Sequence, residues 1–188
     1  MFKNKVFEIN EINFINYLII KEDRGRVGEQ QLLDTRTYKV LAAKEGAIEY
    51  IAEIVSWVAD ELSETPLTIV PFPSTDKNKD TNKQLPNMIV SALHARYEKW
   101  IDGSDYLVRK YSLPKNTRDI FKQYESLAIR NKGDLRNKDI LLLDDVTTSG
   151  SSLLAGLGIL AEAKPRKLKA LAIAKKVYLK DIPITGVY

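Results

Sequence analysis

Asp139-Ile-Leu-Leu-Leu-Asp-Asp-Val-Thr-Thr-Ser-Gly-Ser-Ser-Leu153 sets the expectation for the fold. Its apolar run, Ile140 to Leu143, predicts a short strand buried on both faces. The strand ends at two adjacent carboxylates, Asp144 and Asp145. A turn rich in hydroxyls and glycine follows, Thr147-Thr-Ser-Gly-Ser-Ser152, and then the apolar helical pattern Leu153-Leu154-Ala155. A strand, acids, and a turn that opens a helix is how an α/β protein builds a site at the carboxyl edge of its sheet. The helix start offers free N–H groups and the positive end of a dipole, which suit a phosphate. The acids can accept hydrogen bonds from sugar hydroxyls or hold a metal.

Other readings of the same letters are weaker. A hydrophobic strand ending in acids also occurs in Walker B segments, but no Gly-x-x-x-x-Gly-Lys-Ser/Thr occurs in the chain. Phosphatases of the haloacid-dehalogenase type need Asp-x-Asp after their first strand, whereas these acids are adjacent and late. A strand–turn–helix without function stays open, because Ser and Thr are ordinary N-caps.

The 188 residues predict one domain with a real core. With 44% hydrophobic and 29% charged residues, the composition is that of a globular chain. No apolar run is long enough to cross a bilayer, and the acids and amides near the start spoil a signal-peptide core. Zero cysteines exclude disulfides, thiolate metal sites and cysteine nucleophiles. The single histidine, His94, makes a His-based metal site implausible and reads as structural. A cytoplasmic location without a membrane partner is expected. The net charge of +4 suits phosphate-bearing small molecules and permits nucleic acid without demanding it. Self-association as a homodimer is left open.

Along the chain, Phe14 to Ile20 predicts a strand within an N-terminal extension or hood, residues 1–44. The core, residues 45–188, opens with a helix from Glu45 to Leu62. Its Ile48, Ile51, Ala52, Val55, Val58, Ala59 and Leu62 recur at helical spacing. Pro66 to Val70 predicts a strand stopped by Pro71-Phe-Pro73, and a polar loop from Ser74 to Lys83 follows. A helix is expected from Leu85 to Tyr97, with Pro86 in its first turn. Asp105 to Arg109 predicts another strand, Asp119 to Leu127 a helical or mobile connection, and Lys169 to Ala174 a strand parallel to the motif strand. Strands alternating with helices predict a parallel sheet flanked by helices.

The motif from Asp139 resembles the phosphoribosyl pyrophosphate motif of type I phosphoribosyltransferases. That motif has four apolar residues, two acids, an apolar residue and a Thr-Thr-Gly-x-Thr-like loop. Ser149 and Ser152 stand where threonine is more usual, and both keep the hydroxyl. The earlier segment Val70-Pro-Phe-Pro-Ser-Thr75 resembles the Val-Pro-x-Pro segment of the competence-protein-F branch. Leu107-Val-Arg-Lys110 and Ala128-Ile-Arg-Asn131 resemble its later arginine segments. The chain departs from that branch in having no cysteine zinc ribbon, and Lys77-Asn-Lys-Asp80 in place of Arg-Gly-Phe-Asn.

The resemblance implies a catalytic acid pair, Asp144 and Asp145, which binds the ribose hydroxyls and the cofactor Mg2+, directly or through water or ligand. It implies a 5′-phosphate loop of Thr148, Ser149, Gly150, Ser151 and Ser152, and pyrophosphate binding by Ser74, Thr75 and Lys77. Prolines that simply end a strand account for that turn equally. It further implies a mobile loop between Tyr111 and Lys132, with Arg109, Lys110, Arg130 and Lys132 as candidate cations; each reads equally as a surface charge. The ligand would be phosphoribosyl pyrophosphate or a nucleoside monophosphate. Nothing in Phe14, Tyr17, Arg24-Gly-Arg26 or Lys175 to Tyr178 selects a base. Two functions fit: a magnesium-dependent enzyme transferring the phosphoribosyl group to a nitrogenous acceptor, or a nucleotide-binding regulator or DNA-processing partner that keeps the pocket.

Overall fold

The computed structural model describes residues 5–9, 12–21, 47–62, 66–115, 117–147 and 149–177. The motif strand lies near the middle of the main sheet. This strand, β7 (Asp139–Thr147), pairs in parallel with β3 (Leu67–Pro71) on one side and β8 (Lys167–Val177) on the other. Beyond β3 lies β4 (Trp100–Asp102); beyond β8 lies β2 (Ile12–Lys21), with β1 (Lys5–Ile9) antiparallel at the edge. The expected strand near Phe14 is therefore β2, a parallel member of the main sheet. Arg24-Gly-Arg26 and Tyr178 lie outside the described residues.

Side chains alternate along each strand, and each face has its own core. Leu141, Leu143, Leu171 and Ile173 pack with Leu67 and Ile69 toward α1 (Ala47–Leu62) and α2 (Leu85–Arg96). Ile140, Leu142, Ala170 and Ala172 pack with Val70 and Phe72 toward α4 (Ser151–Ala161). All four residues Ile140 to Leu143 are fully buried, which is why the motif strand has no polar alternation. In α1, Ala52, Val55 and Ala59 are buried on the expected stripe. Ser56 is buried too, and its hydroxyl accepts Trp100 Nε1 at 3.0 Å. In α2, His94 Nδ1 lies 2.9 Å from the Trp100 carbonyl, a bond that ties the helix to β4 and matches a structural histidine.

The segment between Gly103 and Lys138 differs most from expectation. The strand expected at Asp105 to Arg109 is β5 (Leu107–Arg109), which leaves the main sheet and pairs antiparallel with β6 (Leu127–Ile129). Between them stands the short helix α3 (Ile120–Glu125), whose Asp119 cap accepts the N–H groups of Phe121 and Lys122. Much of the expected mobile loop is thus secondary structure packed on α4. Leu107, Leu127 and Leu135 supply the apolar contacts that hold it there.

Candidate active site

The site follows from unequal strand lengths. β3 stops pairing with β7 at Pro71 opposite Leu143, while β7 continues beside β8 to Thr147. After Pro71 the chain makes one more bond, Phe72 N–H to Leu143 O at 2.7 Å, and then turns away. A cleft of about 600 Å³ opens between that turn and the end of β7.

One wall holds the acid pair. Asp144 is 9% exposed and Asp145 is half-buried; both line the cleft. Each carboxylate accepts the next main-chain N–H: Asp145 N donates to Asp144 Oδ1 at 2.8 Å, and Val146 N to Asp145 Oδ1 at 2.7 Å. These bonds hold each carboxyl group against the main chain at the end of β7.

Ser149, Gly150, Ser151 and Ser152 line the cleft at the start of α4. Gly150 has φ of 79°, a left-handed conformation that favours glycine. Its N–H donates to Thr147 Oγ1 at 3.0 Å, which closes the turn. Gly150 is also the N-cap and has no side chain to offer the helix. The first turn of α4 therefore presents main-chain donors and the positive dipole end to the cleft. Thr148, expected in this loop, lies outside the described residues.

The facing wall is the turn after β3. Ser74 and Thr75 line the cleft. Lys77 does not: it is exposed and borders a second cavity of about 370 Å³ behind the turn. The cause is local, because Lys77 N–H bonds Ser112 Oγ at 3.0 Å and Leu113 N–H bonds Thr75 O at 2.8 Å. The chain at Ser112 and Leu113 thereby clamps the outer side of the turn.

None of the four candidate cations lines the cleft. Arg109, at the end of the strand expected at Asp105 to Arg109, is 8% exposed and buried in β5. Burial pushes its pKa down to about 10, opposed by the charges of Asp144 and Tyr111, so it stays cationic at neutral pH. Lys110 is exposed, its main chain bonded to Ser126, and Arg130 borders the second cavity. Lys132 pairs with Glu162 at 2.8 Å, just past the far end of α4, roughly 16 Å of helix from the Ser149–Ser152 loop. The cations that do line the cleft are Lys79, Lys115 and Arg118. The last two stand in Lys115-Asn-Thr-Arg118, whose polar letters resemble any surface loop. No sequence signal separates them from the other lysines and arginines.

Residues 52–181 match the phosphoribosyl transferase domain family. The chain belongs to that family. Among solved structures it is similar to adenine phosphoribosyltransferase from Leishmania tarentolae, with 13% identity over 91% of this chain and 94% of that one and a TM-score of 0.46. It is also similar to hypoxanthine phosphoribosyltransferase from Staphylococcus aureus, with 17% identity over 69% and 73% and a TM-score of 0.44. The hypoxanthine enzyme of Trypanosoma cruzi gives 10% identity over 74% and 70%, with a TM-score of 0.45. No match is found among curated proteins. No described helix is long and apolar enough to cross a membrane.

Proposed function

We propose that the chain is a magnesium-dependent phosphoribosyltransferase that uses phosphoribosyl pyrophosphate. The observation that carries this reading is the single cleft joining the Asp144–Asp145 pair, the Ser149–Ser152 loop and the Ser74–Thr75 turn. Each group suits a different part of one ligand. The acids accept from the ribose 2′- and 3′-hydroxyls, the start of α4 receives the 5′-phosphate, and the facing turn receives the pyrophosphate. Residues 45–188 then form the catalytic core, and residues 1–44 an extension that adds β1 and β2 to the sheet.

The reaction breaks the bond between the anomeric carbon and the pyrophosphate oxygen while a nitrogen of the acceptor bonds to that carbon. Its transition state has oxocarbenium character, so the protein's part is positioning and electrostatics. Asp144 and Asp145 hold the ribose and place negative charge near the developing cation. Lys115 and Arg118 place positive charge where the leaving group gathers electrons. The donor set fits magnesium, since two carboxylates with no third acid or histidine nearby among the described residues match an ion that keeps waters and ligand oxygens. Magnesium, when bound, would neutralise pyrophosphate charge.

Calorimetric titration with phosphoribosyl pyrophosphate, with and without magnesium, tests this. The expected result is magnesium-dependent binding that an Asp144→Asn, Asp145→Asn double variant loses while keeping its unfolding midpoint. Unchanged affinity in that variant would overturn the site. Binding of a nucleoside monophosphate with no pyrophosphate release against any base would indicate a nucleotide-binding regulator instead.

A further inference from the structure

We propose that Arg109 is a positioning residue that aims the Thr75 N–H into the cleft as a donor for pyrophosphate; this rests on the function proposed above. Arg109 Nε donates to the Ser74 carbonyl at 3.1 Å. The guanidinium is held from behind by Ser126 Oγ and the Gln123 carbonyl, and it lies 5.1 Å from the centroid of the Phe72 ring. Ser126 Oγ itself donates to Gln123 O at 2.6 Å, which ties the two supporting groups to each other.

The consequence follows from peptide geometry. The Ser74 carbonyl and the Thr75 N–H belong to one trans peptide plane and point in opposite directions. Arg109 borders the second cavity and not the cleft, whereas Thr75 borders the cleft and not the second cavity. Drawing the carbonyl toward Arg109 therefore turns the N–H toward the cleft. The other N–H groups of the turn and the Thr75 carbonyl are occupied. Ser74 N–H donates to Gln84 Oε1 at 2.8 Å, Thr75 O accepts Leu113 N–H, and Asp76 N–H donates to Ser74 Oγ at 3.2 Å. Pro73 has no N–H. Thr75 N–H is the donor left over.

Gln123 extends the same device across the cleft. Its Nε2 donates to Thr117 O at 2.8 Å, and Thr117 lines the cleft between the two cations, Lys115 and Arg118. One buried pair, Arg109 and Gln123, thus fixes the pyrophosphate turn and the segment bearing those charges. Arg109 acts through the Ser74–Thr75 peptide and borders the second cavity rather than the cleft, so its part is positioning.

The test titrates wild type, Arg109→Lys and Arg109→Met separately with inorganic pyrophosphate and with ribose 5-phosphate, in magnesium. Loss of a donor to a charged acceptor should weaken pyrophosphate by about tenfold or more in Arg109→Met. Ribose 5-phosphate, held by the other wall, should change less than about twofold. Arg109→Lys should recover part of the pyrophosphate affinity. Equal losses for both ligands would overturn the proposal and leave the function standing. Wild type that binds neither ligand would overturn the function and this proposal together. Should Arg109→Met fail to fold, amide resonances of the wild type decide. The Thr75 amide should shift with pyrophosphate and not with ribose 5-phosphate; a Thr75 amide that ignores pyrophosphate would overturn the proposal.

Discussion

Gly156 in α4 faces the ring of Phe72 so closely that a methyl group there would lie 3.0 Å from Phe72 Cε2 and 2.7 Å from Leu142 Cδ2. The helix that follows the Ser149–Ser152 loop is therefore seated directly on the residue that precedes the Pro73–Thr75 turn. Gly156→Ala should destabilise the protein by about 1–3 kcal/mol through overpacking. Gly158 is the control, since an added methyl would meet the Tyr124 ring at an ordinary 3.4 Å. Gly158→Ala, in the same helix, should be neutral or stabilising by about 0.5–1 kcal/mol. Urea midpoints of the two variants decide; equal destabilisation would show that the contact with Phe72 does not matter.

A second glycine is fixed by main chain rather than side chain. A methyl on Gly103 would meet the Ile69 carbonyl oxygen at 2.7 Å, and Gly103 N–H donates to that same oxygen at 2.9 Å. Backbone in the central sheet cannot yield as a side-chain tip can. Gly103→Ala should cost about 2 kcal/mol or more, measured by thermal unfolding, and should separate β4 from β3. A loss below about 0.5 kcal/mol would show that the chain after β4 shifts freely.

Acid sensitivity is expected where α3 meets α4. Lys132 and Tyr124 both bond the Glu162 carboxylate, and these bonds, Lys132 first, hold it below its usual 4.5. A depressed carboxylate stabilises fully above that value and loses its contribution as pH falls through the folded-state value. Wild type should therefore exceed Glu162→Gln in urea midpoint above pH 4.5, with the gap closing as the pH falls through the depressed folded-state value. Tyr124 has the opposite sign: the same bond, aided by burial, raises it above 10.0, so its contribution is lost as pH rises past that point. A gap independent of pH would show that the glutamate acts by packing alone.

How legible these features were depends on the range of the interactions that make them. Ile140 to Leu143 could be read because burial on both faces removes alternation from the sequence itself, and the acids and hydroxyls of the loop are adjacent in the chain. β4 could not be read: its three residues carry no period, and Trp100 is placed by Ser56 and His94 from two different helices. Arg109 resembled a surface cation because its partners stand 14, 17 and 35 residues away. The resemblance groups Lys77 with Ser74 and Thr75, yet bonds to Ser112 and Leu113 turn its side of the loop outward.

That placement separates the cations by function. Lys115 and Arg118 border the cleft; Lys77 borders the cavity behind it. A cationic hydrogen bond to a phosphate group contributes about 1.5–3 kcal/mol, so Lys115→Ala and Arg118→Ala should each weaken phosphoribosyl pyrophosphate by about tenfold to a hundredfold. Lys77→Ala, acting only through a screened field across the turn, should weaken it by less than about threefold. Affinity measured at low and moderate salt sharpens the contrast, because removing a cation that contacts the ligand flattens the salt dependence and removing a remote one barely alters it. Equal losses at Lys77 and Lys115 would mean that the turn reorganises around the ligand and that the clamp from Ser112 opens on binding.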